Sequence, residues 1–122
     1  MSYTQKIYPI QKVMKLISSE NVNYQDEKGK TLLYKASEQG KEDVVQSLVD
    51  KKANVNETDT EGISPLLRAG RFGYKEIVTI LLDAGADINY TRPDGVSALF
   101  LASQNGHEEV VKLWIEKKSK HQ

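Results

Sequence analysis

Catalysis needs a nucleophile beside a base, a matched acid–base pair or a set of metal ligands, and this sequence offers few side chains able to form any of them. Only two histidines occur, His107 and His121. His107 opens "HEEVV", which lacks the second histidine four residues on that a zinc-binding H-E-x-x-H helix requires. Glu108 and Glu109 are adjacent, so a helix turns them to different faces; they suit the positive end of a helix dipole better than acid–base work. Cysteine is absent, which removes disulfides and thiolate metal sites. No catalytic residue, metal ligand or cofactor-binding residue is assigned, and neither a cofactor nor a small-molecule substrate is expected.

The stretch "RAGRFGYKE", Arg68 to Glu76, holds more apparent chemistry. A Gly-x-x-Gly loop lets a backbone approach phosphates, arginine supplies charge, and phenylalanine a stacking surface. A single-stranded nucleic-acid binder centred on Arg68, Arg71, Phe72 and Tyr74 is therefore the alternative to carry forward. Bulk charge opposes it: 17 Lys+Arg balance 17 Asp+Glu among 122 residues, whereas nucleic-acid binding usually rests on a basic face. At 39% hydrophobic and 28% charged, the chain reads as one modest domain. Neither a signal-peptide core nor a membrane-spanning run is visible, so an intracellular, cytoplasmic protein without membrane contact is expected.

What must position these residues is a repeat. Gly29, Gly62 and Gly95 stand 33 residues apart, and aligning on them aligns much else. Asp26–Gly29 and Asp59–Gly62 have Asp first and Gly fourth, and Arg92–Gly95 has Pro second, all suited to type I turns. Thr31, Ser64 and Ser97 follow as helix caps, with Pro65 at a first helical position. Leu33, Leu66 and Leu99, each three residues before Ala36, Ala69 and Ala102, make a buried stripe of little bulk. Gly40, Gly73 and Gly106 end this short helix. A second helix then carries Val44, Val45, Leu48 and Val49; Ile77, Val78, Leu81 and Leu82; and Val110, Val111, Trp114 and Ile115. The Gly-Arg-Phe-Gly stretch thus shares columns with Ser37–Gly40 and Ser103–Gly106, and its second glycine is a helix end. Gly70 replaces Ser37 and Ser103 and is expected to loosen the helix end that presents Arg71 and Phe72.

With this period and with "GISPLLRA", "AGADIN" and "GHEEVVKLWI", the chain resembles the ankyrin-repeat family over roughly residues 23 to 119. The resemblance implies an all-α solenoid of stacked helix-turn-helix units with β-turn fingers, its short helices lining a concave face. The units are residues 23–55, 56–88 and 89–122, the last including a C-terminal cap and a polar tail. Residues 1–22 would form a capping helix with Val13, Leu16 and Ile17 inward. Two departures stand out. The family's histidine after Pro-Leu is Tyr34, Leu67 and Phe100 here, which puts its usual hydrogen bond in doubt. The glycine after the second helix is kept at Gly85 but is Lys52 and Lys118 elsewhere, so those ends should be less tightly fixed. Lys51, Lys52, Lys117 and Lys118 would follow the second helices and complement their dipoles.

The resemblance also implies function: a non-enzymatic module that binds a folded protein, narrowed by its size to a small inhibitor or regulator, and monomeric alone. The partner would meet the variable columns. These are Glu27, Lys28, Lys30, Thr60, Glu61, Ile63, Arg92, Asp94 and Val96 at the finger tips, with Pro93 between them, and Glu38, Gln39, Arg71, Phe72, Gln104 and Asn105 at the ends of the first helices. Arg68 joins them, although its stem could instead fold over a neighbouring repeat. Ile63, Phe72 and Val96 are apolar where solvent is expected, which suggests an interface patch. Tyr90 is expected to stiffen its hairpin and Trp114 to cover the last core layer.

Overall fold

The computed structural model describes residue 12 and residues 14–120. Among these, three helix pairs follow one another: α1 (Leu32–Gln39) with α2 (Glu42–Asp50), α3 (Pro65–Phe72) with α4 (Lys75–Asp83), and α5 (Ala98–Gln104) with α6 (Glu108–Lys120). The first helices pack side by side as one layer, α1 on α3 and α3 on α5, and the second helices form the other, α2 on α4 and α4 on α6. Among the described residues the sole β-type pairing is an isolated antiparallel bridge between Thr91 and Ser97.

Local chemistry sets the helix limits. The hydroxyls of Thr31, Ser64 and Ser97 accept hydrogen bonds from the N–H groups of Tyr34, Leu67 and Phe100 at 3.1, 3.2 and 3.0 Å, satisfying a donor that each helix start leaves free. Gly40 and Gly73 end α1 and α3 in the left-handed region, and Gly106 does the same two residues beyond α5, after the cap Asn105. The second helices amass the core. Val45, Leu48, Val78, Leu81 and Val110 are fully buried, with Trp114 closing the Leu48–Leu81 column at 3% exposure. Ala36, Ala69 and Ala102 are also fully buried, and their small size lets the first helices lie close.

Four expectations change. Gly70 is not a loose end but a close approach: a Cβ there would lie 3.1 Å from both the Cβ and the carbonyl oxygen of Ala98. Lys52 adopts φ 73 and makes the glycine turn without glycine. Its hydrogen bonds, Lys52 N–H to Val49 O at 3.0 Å and Ala53 N–H to Leu48 O at 3.0 Å, match those at Gly85 and Ala86, so that end is fixed and carries strain instead. Lys117 and Lys118 lie within α6, which runs to Lys120, rather than after it. They bond Asp83 and Asn89 at 2.7 and 2.6 Å. At the N-terminal side, a 3-10 turn spans Met14–Leu16. Met14 and Ile17 pack on the core, but Leu16, expected inward, is 73% exposed. Val13 and His121 lie outside the described residues.

Candidate functional site

The turns preceding α1, α3 and α5 are built by their acids. Asp26 Oδ1 accepts from the N–H groups of Lys28 and Lys30, and Asp59 Oδ1 from those of Glu61 and Ile63. The Lys30 N–H and then the Lys35 ammonium, 3.0 Å away, hold Asp26 down to about 2. In the third turn Arg92 replaces the acid and pairs with Asp94, holding that carboxyl down to about 2 as well. The fingers are tied to one another: Thr60 N–H donates to Lys28 O at 3.0 Å, and the Tyr90 hydroxyl donates to Gly62 O at 2.6 Å. Tyr90 therefore stiffens the neighbouring finger.

Beneath the first two fingers lies a polar centre that the sequence did not announce. Tyr34 is 1% exposed; its hydroxyl donates to Asp59 Oδ2 at 2.8 Å and accepts from Arg68 Nε at 2.9 Å. Lys30 Nζ and the Arg68 guanidinium both lie over the Tyr34 ring, 5.4 and 5.6 Å from its centroid. Burial pushes the phenol up to about 12, with the Arg68 hydrogen bond pulling the other way. At Asp59 burial pushes the carboxyl up, but hydrogen bonds led by the Ile63 N–H and the Tyr34 hydroxyl outweigh it and hold the group below the usual carboxylate range. A tyrosine thus restores a hydrogen bond to the next turn where the histidine is missing. Its sequence signal was Tyr34 standing in a column otherwise occupied by Leu67 and Phe100.

This centre engages Arg68, which is half-buried and also lies 3.7 Å from Glu38. The structure brings Arg68 together with Lys28, Lys30, Thr60 and Glu61 around a cavity of about 310 Å³. Glu61, Ile63, Arg92 and Asp94 line the next, of about 270 Å³, with Pro93. Ile63 packs partly against the core and Val96 is half-buried, so Phe72, 41% exposed, is the most open of the three apolar positions. The Arg71 guanidinium lies 5.6 Å from the Phe72 ring centroid and the Tyr74 ring 5.9 Å from it. Arg71 is exposed, as are Glu27, Gln39, Gln104 and Asn105. Asn105 Nδ2 donates to Arg71 O at 3.2 Å, and His107 Nε2 lies 2.8 Å from the same oxygen. A carbonyl only accepts, so Nε2 carries the proton. With its other nitrogen against Gly73, His107 is a structural residue.

A family model for ankyrin repeats, in three copies, matches residues 8–92, well over half of the chain. The chain belongs to the ankyrin-repeat family. The match ends in the third finger, and α5 and α6 beyond it repeat the caps and glycine turn of the earlier ankyrin units. Ankyrin repeats generally mediate protein–protein interaction and are typically non-enzymatic. A search of curated proteins found no match to the chain. Among the described residues, no group of three or more metal-ligating side chains could hold an ion, and no helix is long and apolar enough to cross a membrane.

Proposed function

We propose that this ankyrin stack is a non-enzymatic binding module that grips one folded protein with the end of α3 and the finger tips. The observation that carries this reading is the exposed pair of Arg71 and Phe72, in which a guanidinium lies over a ring that is backed by the half-buried Tyr74 at a helix end. Arginine and aromatic side chains supply most of the energy in many interfaces. Arg71 favours an acidic rim on the partner, and on the fingers Ile63 and Val96 add partly covered apolar surface. A small inhibitor or regulator that covers a partner's active site or docking surface is the narrower form of the proposal.

Affinity capture with the wild-type chain, repeated with Arg71→Glu and Phe72→Ala, tests it. We expect one stoichiometric partner whose affinity falls by about 5- to 30-fold with each variant, as a residue worth about 1–2 kcal/mol would give, while the melts stay close to wild type. A melt that collapses with Phe72→Ala would assign Phe72 to the core. Salt-dependent binding of labelled single-stranded oligonucleotides, lost in the same variants, would replace the proposal with the nucleic-acid reading. If the captured partner is an enzyme, its activity should fall on reconstitution; several weak partners would mark an adaptor instead.

A further inference from the structure

Each helix pair covers the one before it, and the same columns make every junction. At the first junction the Tyr74 ring seats on Gly40, where a Cβ would lie 2.9 Å from the ring; at the second, the His107 ring seats on Gly73, where a Cβ would lie 2.5 Å from Nδ1. At Gly106, the third position of this column, nothing stands within 4 Å. The columns around it are open too. Tyr34 and Leu67 are each 1% exposed but Phe100 is 52%; Val45 and Val78 are fully buried but Val111 is half-buried; Ile115 is 60% exposed. A groove of about 380 Å³ runs along this face, lined by Ser103, Gly106, His107, Glu108, Val111 and Lys112. The polar rung of the junction is closed from within. Asn23 and Asn56 side-chain oxygens accept the backbone N–H groups of Asn54 and Asp87, and the Asn89 side-chain oxygen accepts from the Lys118 ammonium instead. What stays open is therefore the apolar part of a surface whose two counterparts are buried.

We propose that this face, formed by α5 and α6, docks the same face of a second copy of the chain about a two-fold axis. A two-fold contact needs a patch that carries both halves of its own complement. This one does: Phe100 is an exposed ring, Gly106 marks an unfilled ring seat, and the groove has a carboxylate at Glu108 and an ammonium at Lys112, the latter held within one chain only by an exposed contact to Glu109 at 3.8 Å. With equal numbers of acidic and basic residues in the chain, two copies meet without net repulsion. Head-to-tail stacking fits less well. Lys41 stands in the column of Tyr74 and His107, and Met14, Ile17 and Val22 already pack on the core from the N-terminal side of the chain. This replaces the monomer expected from the sequence, and it leaves Arg71 and Phe72 outside the dimer face, so its failure and that of the partner-binding reading are distinct.

Sedimentation equilibrium of the full chain from micromolar to millimolar concentration tests the proposal. We expect a mass that rises from one chain to two and stops there. Phe100→Glu should leave one chain throughout with an unchanged helical spectrum. Lys112→Glu should weaken association about tenfold, and adding Glu108→Lys to it should recover most of that loss. A wild-type mass of one chain at every concentration overturns the proposal. So do masses climbing past two chains, which head-to-tail stacking would give, or a dimer that survives Phe100→Glu.

Discussion

Removing one oxygen atom, in Tyr34→Phe, separates the polar centre from the hydrophobic packing around it. The ring stays, and with it the apolar contacts and the cations over its face. What is lost is a hydrogen bond to Asp59 and another from Arg68, at 2.8 and 2.9 Å. Hydrogen bonds to charged groups are worth about 1.5–3 kcal/mol each. Arg68 keeps Glu38, 3.7 Å away, and Asp59 Oδ1 keeps its two N–H donors, but Oδ2 loses its hydroxyl in a residue only 8% exposed. Allowing for Arg68 moving toward that oxygen, we expect a net loss of about 2–3 kcal/mol. For a chain of this size that lowers the melting temperature by about 8–12 °C. Urea unfolding followed by helical circular dichroism measures it, provided the denaturant slope is unchanged. The pH dependence follows from the shifts. Asp59 is held below its unfolded value of about 3.9, so its contribution is complete above that value and is lost as pH falls through the lower folded one; the gap between wild type and variant should narrow there. Tyr34 is raised to about 12 from about 10, so wild type should lose stability between those two values, and Tyr34→Phe should lack that component. A loss below about 0.5 kcal/mol at neutral pH would refute the argument that this centre fastens the first two repeats.

Two further substitutions probe the junctions. Lys52→Gly relieves a left-handed lysine costing about 1–2 kcal/mol, against about 0.5–1 kcal/mol for glycine's larger unfolded-state freedom; urea midpoints should show a gain of about 0.5–1 kcal/mol, and a decrease would show that φ 73 is not strained there. Gly70→Ala gains about 1 kcal/mol of helix propensity but forces a methyl to within 3.1 Å of Ala98, an overpacking cost of about 1–3 kcal/mol. A thermal melt should show net destabilisation of about 1 kcal/mol, and a raised midpoint would mean that α3 and α5 separate freely.

The features readable in the sequence are those that a few adjacent residues decide. Thr31 caps the N–H of Tyr34 three residues on, and Asp26 closes a turn on Lys28 and Lys30; such contacts recur wherever the residue recurs, so a 33-residue register exposes them. Tyr34, Asp59 and Arg68 are different, because they meet across separations of 25 and 34 residues. Nothing in the local pattern around any one of them requires the other two. The Gly70 substitution misled for the same reason: its cause is Ala98 in the next pair, not the helix it ends. The α6 extension to Lys120 is not legible because Lys118 falls in the glycine column, and Lys52 shows that lysine can hold the turn there. At Lys118 the side chain reaches Asn89 and the helix continues.

Arg68 and Arg71 are three residues apart on one helix, yet they bear differently on the proposed binding face. A partner that engaged the Arg68 guanidinium would compete with Tyr34 and Glu38 and would disturb the link between the first two repeats, so part of its binding energy would go into undoing the fold. Arg71 carries no such obligation. Its carbonyl is held by Asn105 and His107 from the third repeat, while its guanidinium stays over the exposed Phe72 ring. Backbone fixed from behind and side chain free in front is the arrangement that lowers the ordering cost of association. On the proposed reading, affinity therefore resides in Arg71 and Phe72, and Arg68 acts by keeping the fingers in register.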